Sequence, residues 1–283
     1  MSITDAPTTR RSLRRTTPTN GKVIVVWGTA GSGKSTIALN LTAALANKGE
    51  QVLLIDADTT SASQVAQLAL AEYPAGLAPM CRFARQNRLS QETFGRQTIR
   101  LKDSGATFTF VPGINPERWP EVTPQSVDAI LNFAMGNFDR VVIDTGSNTE
   151  SQLHSNNSPQ GRFEFTRWLI ARADILLTPI SADPVSLDRF IRQVGDLREL
   201  RGERPVTLVI NKHRTKALGP NAKRELASTL RNLGGFKIAA YLPEDHRTLD
   251  VSLRNGTTVF GVRSASPLRK ALKQLAQSKY VSG

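Results

Sequence analysis

One short segment of the chain combines residue types suited to binding phosphate. Residues 28–35 read Gly-Thr-Ala-Gly-Ser-Gly-Lys-Ser and match the pattern G-x-x-x-x-G-K-[ST], between an apolar run and a helical pattern. Glycines let backbone N–H groups approach a phosphate, the Lys34 ammonium can reach its oxygens, and the Ser35 hydroxyl can ligate Mg²⁺. The following helix adds the positive end of its dipole. The predicted nucleotide-phosphate site comprises Gly28, Thr29, Ala30, Gly31, Ser32, Gly33, Lys34, Ser35 and Thr36.

Carboxylates follow two further apolar runs at the points where these runs end. Asp56 and Asp58 follow the apolar run 52–55, and Asp144 follows the apolar run 141–143. Because the carboxyl ends of parallel strands meet at one edge of a sheet, we expect these acids near the phosphate loop, residues 28–35. Asp144 is then the expected Mg²⁺ carboxylate, and Gly146 can offer its N–H to a γ-phosphate. The alternative for each acid is a cap on the next helix.

A later apolar run, 206–210, is followed by residues that bear on the choice of base. It ends in Asn211-Lys212-His213-Arg214. An N-K-x-D sequence here would read guanine, because the aspartate accepts hydrogen bonds from the guanine N–H groups. Arg214 stands in its place and cannot accept them. The Asn211 amide can still face adenine, so the segment favours ATP over GTP, unless Asn211 is only a turn residue.

The spacing of apolar runs predicts the fold that positions these groups. Most runs are rich in Val and Ile without polar alternation, which is typical of strands buried on both faces. Helical patterns separate them, at 37–47, 124–136 and 184–199, the last two after Thr-Pro and Asp-Pro starts. We expect an α/β fold with a mostly parallel central sheet and helices on both faces, formed by one domain over 21–283. The predicted strands are 23–27, 52–55, 108–111, 141–143, 175–177, 206–210 and 238–241.

Two segments do not follow this alternation. Residues 1–20 are dominated by Thr, Ser, Pro and Arg with almost no large apolar side chains, which predicts a disordered basic arm. Residues 82–106 are polar, and we expect them to form helix and loop over the edge of the sheet.

The composition excludes several classes of protein. The chain has 283 residues, of which 39% are hydrophobic and 22% charged, as in folded proteins generally. One cysteine, Cys81, excludes a disulfide framework and a CxxC-type zinc site. The sequence has no run of about 18 apolar residues and no apolar stretch near Met1 of the kind that a signal peptide has. We expect a cytoplasmic protein.

Positive charge is concentrated towards the two ends of the chain. The formal net charge is +13, from 37 Lys and Arg against 24 Asp and Glu. Residues 201–283 hold sixteen basic and five acidic side chains, and residues 1–20 hold four arginines and one aspartate. Such a distribution suits binding to nucleic acid or to an anionic membrane, and it is also compatible with a merely solvated surface.

These motifs together resemble those of the MinD/ParA family of P-loop ATPases. The resemblance continues into the C-terminal part, where Pro243-Glu244-Asp245 follows a strand and Ser266-Pro267-Leu268 opens a last helix, so it covers residues 21–279. Residues 116–120 and 181–185 look similar to the TadZ/CpaE branch. The resemblance implies a P-loop NTPase fold that binds Mg-ATP and hydrolyses it slowly as a switch in positioning or partition of DNA, or of pilus or secretion machinery. It implies catalytic roles for Lys34, Asp58 and Asp144, metal contacts from Ser35, Asp56 and Asp144, and nucleotide contacts from Asn211 and Pro243.

The chain departs from the family pattern at one position. Members typically carry a lysine early in the loop that reaches the nucleotide of a partner in an ATP-sandwich dimer, and here that position is Thr29. A threonine cannot supply the charge. The resemblance therefore implies a homodimer that either uses another cation or depends less on ATP.

Other functions stay open on the sequence. A nucleotide-dependent scaffold with little hydrolysis is compatible with Thr29. A metabolic ligase of the dethiobiotin-synthetase type shares the fold, although residues 57–62 show no pattern for recognising an acid substrate. Possible partners are nonspecific DNA, a membrane (less favoured), and a protein activator or cargo adaptor that the sequence does not identify. The candidate DNA contacts are Lys212, Arg214, Lys216, Lys223, Arg224, Arg269, Lys270 and Lys273.

Overall fold

Nine strands form one sheet in the described part of the chain, which comprises residues 2–4, 21–149, 162–214, 221–262 and 265–282 of a computed structural model. The strands are β1 Ser2–Thr4, β2 Lys22–Val26, β3 Val52–Ala57, β4 Ile99–Asp103, β5 Ala106–Val111, β6 Arg140–Thr145, β7 Ile175–Ser181, β8 Val206–His213 and β9 Lys237–Pro243. The helices are α1 Lys34–Ala46, α2 Gln64–Gln67, α3 Leu77–Arg85, α4 Gln91–Gly95, α5 Pro124–Met135, α6 Arg162–Arg172, α7 Pro184–Arg201, α8 Ala222–Gly234, α9 His246–Arg254, α10 Pro267–Gln277 and α11 Lys279–Ser282, with a 3-10 helix at Pro116–Glu121.

The order of the strands places the phosphate loop at the centre of the sheet. Across the sheet the order is β1-β4-β5-β3-β6-β2-β7-β8-β9. The seven strands from β5 to β9 in this order are parallel, whereas β4 and β1 join antiparallel at one edge. Each apolar run that was predicted to be a strand lies in one of the parallel strands, so the predicted mostly parallel sheet is confirmed. The loop follows β2, which lies between β6 and β7.

Alternate residues of β2 enter two separate hydrophobic cores. Val23 and Val25 belong to one core, and Ile24 and Val26 belong to the other. Because successive side chains of a strand point to opposite faces, the two cores lie on the two faces of the sheet. Helices α3, α5, α6, α7 and α8 contribute to the first core, and α1 and α10 contribute to the second. The prediction of helices on both faces is therefore confirmed.

Three long helices begin at the capping residues that the sequence indicated. Thr123, Asp183 and Ser266 each accept a hydrogen bond from the backbone N–H three residues later, at 3.3, 2.8 and 3.0 Å. A proline occupies the first position of each helix, where its missing N–H costs nothing. None of the helices in the described ranges is long and apolar enough to cross a membrane.

The prediction of a disordered arm over residues 1–20 is wrong for Ser2–Thr4. These residues form β1 and pair antiparallel with residues 100–102 of β4. The edge of β4 offers unpaired N–H and C=O groups, and pairing with them requires no large apolar side chain. Residues 5–20 lie outside the described residues.

The segment 82–106 contains a strand that the sequence analysis missed. It comprises the end of α3, the short α4 and the strand β4. Three of the five residues of β4 are charged, which hides the alternation in which Ile99, Leu101 and Asp103 are buried. Asp103 is tolerated there because its Oδ2 accepts a 3.0 Å hydrogen bond from the backbone N–H of Thr258. The expectation of helix and loop is therefore incomplete.

The central strands should depend strongly on their buried side chains. Leu54 of β3 is fully buried in the second core, so Leu54→Ala removes packed methyl groups and leaves a cavity. We expect the free energy of unfolding to fall by about 3 kcal/mol in urea denaturation. Leu253→Ala is the matched control, because Leu253 of α9 is 50% exposed. Equal losses in the two variants would contradict the described core.

Candidate nucleotide-binding site

The phosphate loop has a backbone path that requires its glycines. Gly31 and Gly33 have φ angles of +80° and +84°, in the left-handed region that side chains disfavour. A Cβ added at Gly33 would also lie 2.4 Å from Nδ2 of Asn211. Helix α1 begins at Lys34 without a side-chain cap and without an acid in its first turn. Its first backbone N–H groups are therefore available to an anion.

Two side chains from the end of β8 hold the loop from outside. The Asn211 amide donates a 2.8 Å hydrogen bond to the carbonyl of Ser32, and the Lys212 ammonium donates one of 2.9 Å to the carbonyl of Gly31. Lys212 has a φ of +53°, an uncommon conformation for a lysine. Bonds to the carbonyls restrain the loop without using its N–H groups. Asn211 was expected to read the base. In the structure its amide instead contacts the carbonyl of Ser32.

Lys34 and Asp58 form an ion pair within the site. The Lys34 Nζ lies 3.3 Å from Oδ2 of Asp58, which is buried. The other carboxylate oxygen of Asp58 accepts hydrogen bonds of 2.9 Å from the backbone N–H groups of Thr60 and Ser61. The structure therefore brings together two of the three predicted catalytic residues. The capping alternative also applies, because Asp58 shapes the turn that follows it.

Asp144 offers the oxygen that is best suited to a metal. Its side chain is fully buried, and Oδ2 accepts a 2.7 Å hydrogen bond from Gln64, whereas Oδ1 has no partner among the described residues. Burial raises the pKa of Asp144 to about 6, opposed by the charge of Lys34, the hydrogen bond from Gln64 and the nearby Ser35 hydroxyl. Buried polar atoms are normally satisfied. The free carboxylate oxygen and the adjacent Ser35 hydroxyl are hard oxygen donors, so the residues present fit Mg²⁺.

Asp56 lies beside Asp144 and shapes the surrounding backbone. The two residues are register partners across β3 and β6. Asp56 Oδ2 accepts hydrogen bonds from the backbone N–H groups of Ser63 at 2.9 Å and Gln64 at 3.0 Å, and Oδ1 accepts one of 3.3 Å from Asp58. Burial, followed by the charge of Asp144, raises the pKa of Asp56 to about 8. The capping alternative therefore describes these contacts, and the metal role of Asp56 stays a prediction.

Gln64 is a residue of the site that the sequence analysis missed. Its side-chain amide donates to the backbone carbonyl of Ser35 at 3.0 Å and to Asp144 at 2.7 Å, and the residue is fully buried. Gln64 thus joins the end of the phosphate loop to the predicted metal ligand. The only local signal is its place at the start of a short helix, which does not indicate a partner 80 positions away.

A cleft beside the loop is lined by Asn211 and Pro243, which were predicted to contact the nucleotide. It has about 580 Å³ of empty space, part of it open to solvent. Arg214 forms an ion pair with Glu244, with 3.5 Å between Nε and Oε2, and Glu244 also lies 3.0 Å from His246. A carboxylate acceptor therefore lines the cleft, and Arg214 alone does not exclude guanine. The lining includes Gly33, Thr36, Ile37, Asn40, Asn211, Lys212, Pro243, Glu244, Asp245, His246, Leu249, Leu268 and Leu272.

The described residues contain no cluster of three His, Cys, Asp or Glu side chains arranged to hold a metal ion. This finding is compatible with Mg²⁺ at a phosphate loop, since that ion keeps several waters and shares its other ligands with the phosphates. A hydroxyl and one carboxylate from the protein are then enough.

The parallel sheet, the glycine-rich loop after its central strand and the free start of α1 define a P-loop nucleotide-binding protein. The family model described as the CobQ/CobB/MinD/ParA nucleotide binding domain matches residues 23–259, and the chain belongs to this family. A putative septum site-determining protein MinD of Guillardia theta is 24% identical over 223 residues, or 79% of this chain and 75% of that protein.

Solved structures show the same fold. A ParA family ATPase from Chlorobium tepidum superimposes with a TM-score of 0.70 at 20% identity, over 90% of this chain and 98% of that one. The septum site-determining protein MinD from Pyrococcus horikoshii, complexed with Mg-ADP, has a TM-score of 0.66 at 18% identity, over 90% and 93% of the two chains. The predicted family and fold are therefore confirmed.

The raised pKa of Asp56 predicts how stability depends on pH. Because its folded-state pKa of about 8 exceeds the unfolded value near 4, the folded protein binds the extra proton, and ionisation destabilises it as the pH rises through this range. Asp56→Asn should therefore gain stability relative to the unmodified protein between about pH 4 and pH 8, as measured by urea denaturation. Asp250→Asn, on an exposed part of α9, is the control. A constant difference between Asp56→Asn and the unmodified protein across this range would contradict the assignment.

Proposed function

We propose that this chain binds Mg-ATP and hydrolyses it slowly, as a switch in intracellular positioning or partition. The observation that carries the proposal is the meeting of Lys34, Asp58 and Asp144 at the phosphate loop, with Gln64 joining Asp144 to the loop. Adenine nucleotide is supported by the Mg-ADP in a MinD of the same fold. The alternative of a scaffold that binds ATP but scarcely hydrolyses it would use the same site.

Each residue would have a separate task in this reaction. Ser35 and Asp144 would hold Mg²⁺, which when bound neutralises charge on the phosphates. Lys34 would bind phosphate oxygens, and Asp58 would then be free to orient the attacking water. Positioning and charge stabilisation supply most of the catalysis in phosphoryl transfer. The ion pair of Lys34 and Asp58 must therefore open when nucleotide binds.

A homodimer is part of the proposal, although the loop lacks the signature lysine. Thr29 provides no charge, but two cations contact neighbouring positions of the loop. Lys212 contacts the Gly31 carbonyl, and Arg189 of α7 donates to the Ala30 carbonyl at 3.4 Å. These side chains are exposed. They are our candidates for the alternative cation that a nucleotide-dependent dimer would need.

Lys34→Ala should abolish ATP binding, because the loop loses the side chain that bridges the β- and γ-phosphates. We expect the affinity for a fluorescent ATP analogue to fall by at least about 100-fold, which corresponds to about 2.8 kcal/mol. Lys102→Ala is the matched control, since Lys102 is exposed on β4, away from the loop. Unchanged affinity in Lys34→Ala would overturn the assignment of the loop. Binding without turnover in the unmodified protein would favour the scaffold.

Nonspecific DNA is the polyanion that we propose for the basic C-terminal part. Lys223 and Arg224 on α8, and Lys270 and Lys273 on α10, are exposed. The two helices lie on opposite faces of the sheet, but both contact its edge strand β9, so these cations flank one edge. Arg269 is a weaker candidate than expected, because it donates to a backbone carbonyl. Lys212 and Arg214 lie near the nucleotide cleft, and Lys216 is outside the described residues.

Reversing these four cations to Glu should weaken DNA binding strongly while ATP affinity is kept. We plot log K, where K is the association constant for DNA, against log salt concentration. The slope should become shallower by up to about four, since about one counterion fewer is released for each phosphate contact that is lost. A mobility-shift titration at two salt concentrations measures this slope. The control reverses Arg85, Arg88, Arg96 and Lys102 instead, for an equal change of charge. Equal loss in the two variants, or no DNA binding by the unmodified protein at low salt, would contradict the DNA proposal.

A further inference from the structure

Helix α6 contacts the turn after β3, which carries Asp58, and the segment after β6, which follows Asp144. At its start, Arg162 donates a 2.7 Å hydrogen bond from Nη2 to the carbonyl of Thr59, the residue after Asp58. One and a half turns later, Arg167 donates a 3.1 Å hydrogen bond from Nη1 to the carbonyl of Thr149, in the segment that follows β6. A single helix therefore holds backbone groups on both sides of the phosphate site. The sequence analysis singled out neither arginine.

The contact of Arg162 is made with the turn that Asp58 organises. Asp58 accepts hydrogen bonds from the N–H groups of Thr60 and Ser61, so these amides report directly on the position of its carboxylate. Thr59 is 3% exposed, and Arg162 satisfies its carbonyl. The Arg162 Nε is buried as well. The guanidinium is thus inserted beside the turn rather than extended into solvent.

The two loops and the helix meet at Gly146. A Cβ built on Gly146 would lie 3.4 Å from Oδ1 of Asp58 and 3.5 Å from the hydroxyl of Thr166, one turn after Arg162 on α6. A side chain as small as a methyl group would therefore fill the space at Gly146, which places the backbone after β6 close to both the Asp58 carboxylate and α6.

Arg167 is a buried side chain that holds the segment after β6. It is 8% exposed, and its guanidinium also lies 3.0 Å from Glu199 of α7. The hydroxyl of Thr149 donates a 2.6 Å hydrogen bond to Gln193 of the same helix. The loop after β6 is therefore fixed to α6 and α7 together, whereas the Asp58 turn has its contact with α6 through Arg162.

We propose that Arg162 is a positioning residue for Asp58, and that Arg167 does the same for the loop after Asp144. Helix α6 then fixes the position of the Asp58 turn relative to the segment after β6. The role of Arg162 in turnover rests on the proposed ATPase function, but its effect on the Asp58 turn does not, because the contact joins two groups of the protein itself.

The test compares Arg162→Gln with Arg172→Gln. Arg172 lies on the last turn of the same helix and pairs with Asp128 at 3.1 Å, away from both loops. Hydrogen exchange without nucleotide should become about tenfold faster at the amides of Thr60 and Ser61 in Arg162→Gln, since local opening becomes easier. We expect no change there in Arg172→Gln, and Arg162→Lys should recover part of the protection. Unchanged exchange in Arg162→Gln, or equally faster exchange in β2 and β6, would overturn the proposal.

Single-turnover hydrolysis separates this proposal from the function on which its catalytic part rests. If the unmodified protein hydrolyses ATP, the rate constant should fall about tenfold or more in Arg162→Gln, while the affinity for a fluorescent ATP analogue stays within about twofold. A slower reaction without faster exchange at Thr60 and Ser61 would overturn the positioning role. If the unmodified protein does not hydrolyse ATP, the proposed function fails, and the exchange measurement still decides the role of Arg162.

Discussion

Placing carboxylates side by side at the ends of buried strands is the constraint on which the rest of this site depends. The parallel register of β3 and β6 makes Asp56 and Asp144 direct neighbours, and both are fully buried. Two like charges in such surroundings raise each other's cost of ionisation unless donors surround them. The backbone N–H groups after β3, the amide of Gln64 and the ammonium of Lys34 are those donors. The course of the loop after β3 places its backbone N–H groups and the Gln64 amide against these carboxylates.

The same requirement explains why distant parts of the chain surround so small a region. The phosphate loop directs N–H groups inward, so its carbonyls must be satisfied from outside, by Asn211 and Lys212. The turn after Asp58 likewise leaves the Thr59 carbonyl to Arg162. The end of β8 and helix α6 are thus connected to the site through hydrogen bonds to backbone carbonyls. The position of the Asp58 turn at the centre of the sheet therefore depends on the position of helix α6.

Much of this arrangement could be predicted from the sequence, and the remainder depends on tertiary contacts. Apolar runs, most of them rich in Val and Ile, predicted all seven parallel strands, because burial on both faces removes polar alternation. The glycine spacing identified the loop, and the strand ends identified Asp58 and Asp144. Strand β4 was missed because three of its five residues are charged. Gln64 and Arg162 were missed because their partners lie 80 and 103 positions away, and no local pattern encodes that distance.

The ion pair of Lys34 and Asp58 means that the protein carries an internal competitor for its own phosphate-binding lysine. Any anion that binds Lys34 must displace a carboxylate 3.3 Å away, so the observed affinity is the intrinsic affinity reduced by the fraction of molecules in which the lysine is free. This factor is the same for every anion that needs the free lysine, because it depends only on how often the ion pair is open. The ion pair therefore raises the concentration at which any such anion occupies the loop, without favouring one anion over another.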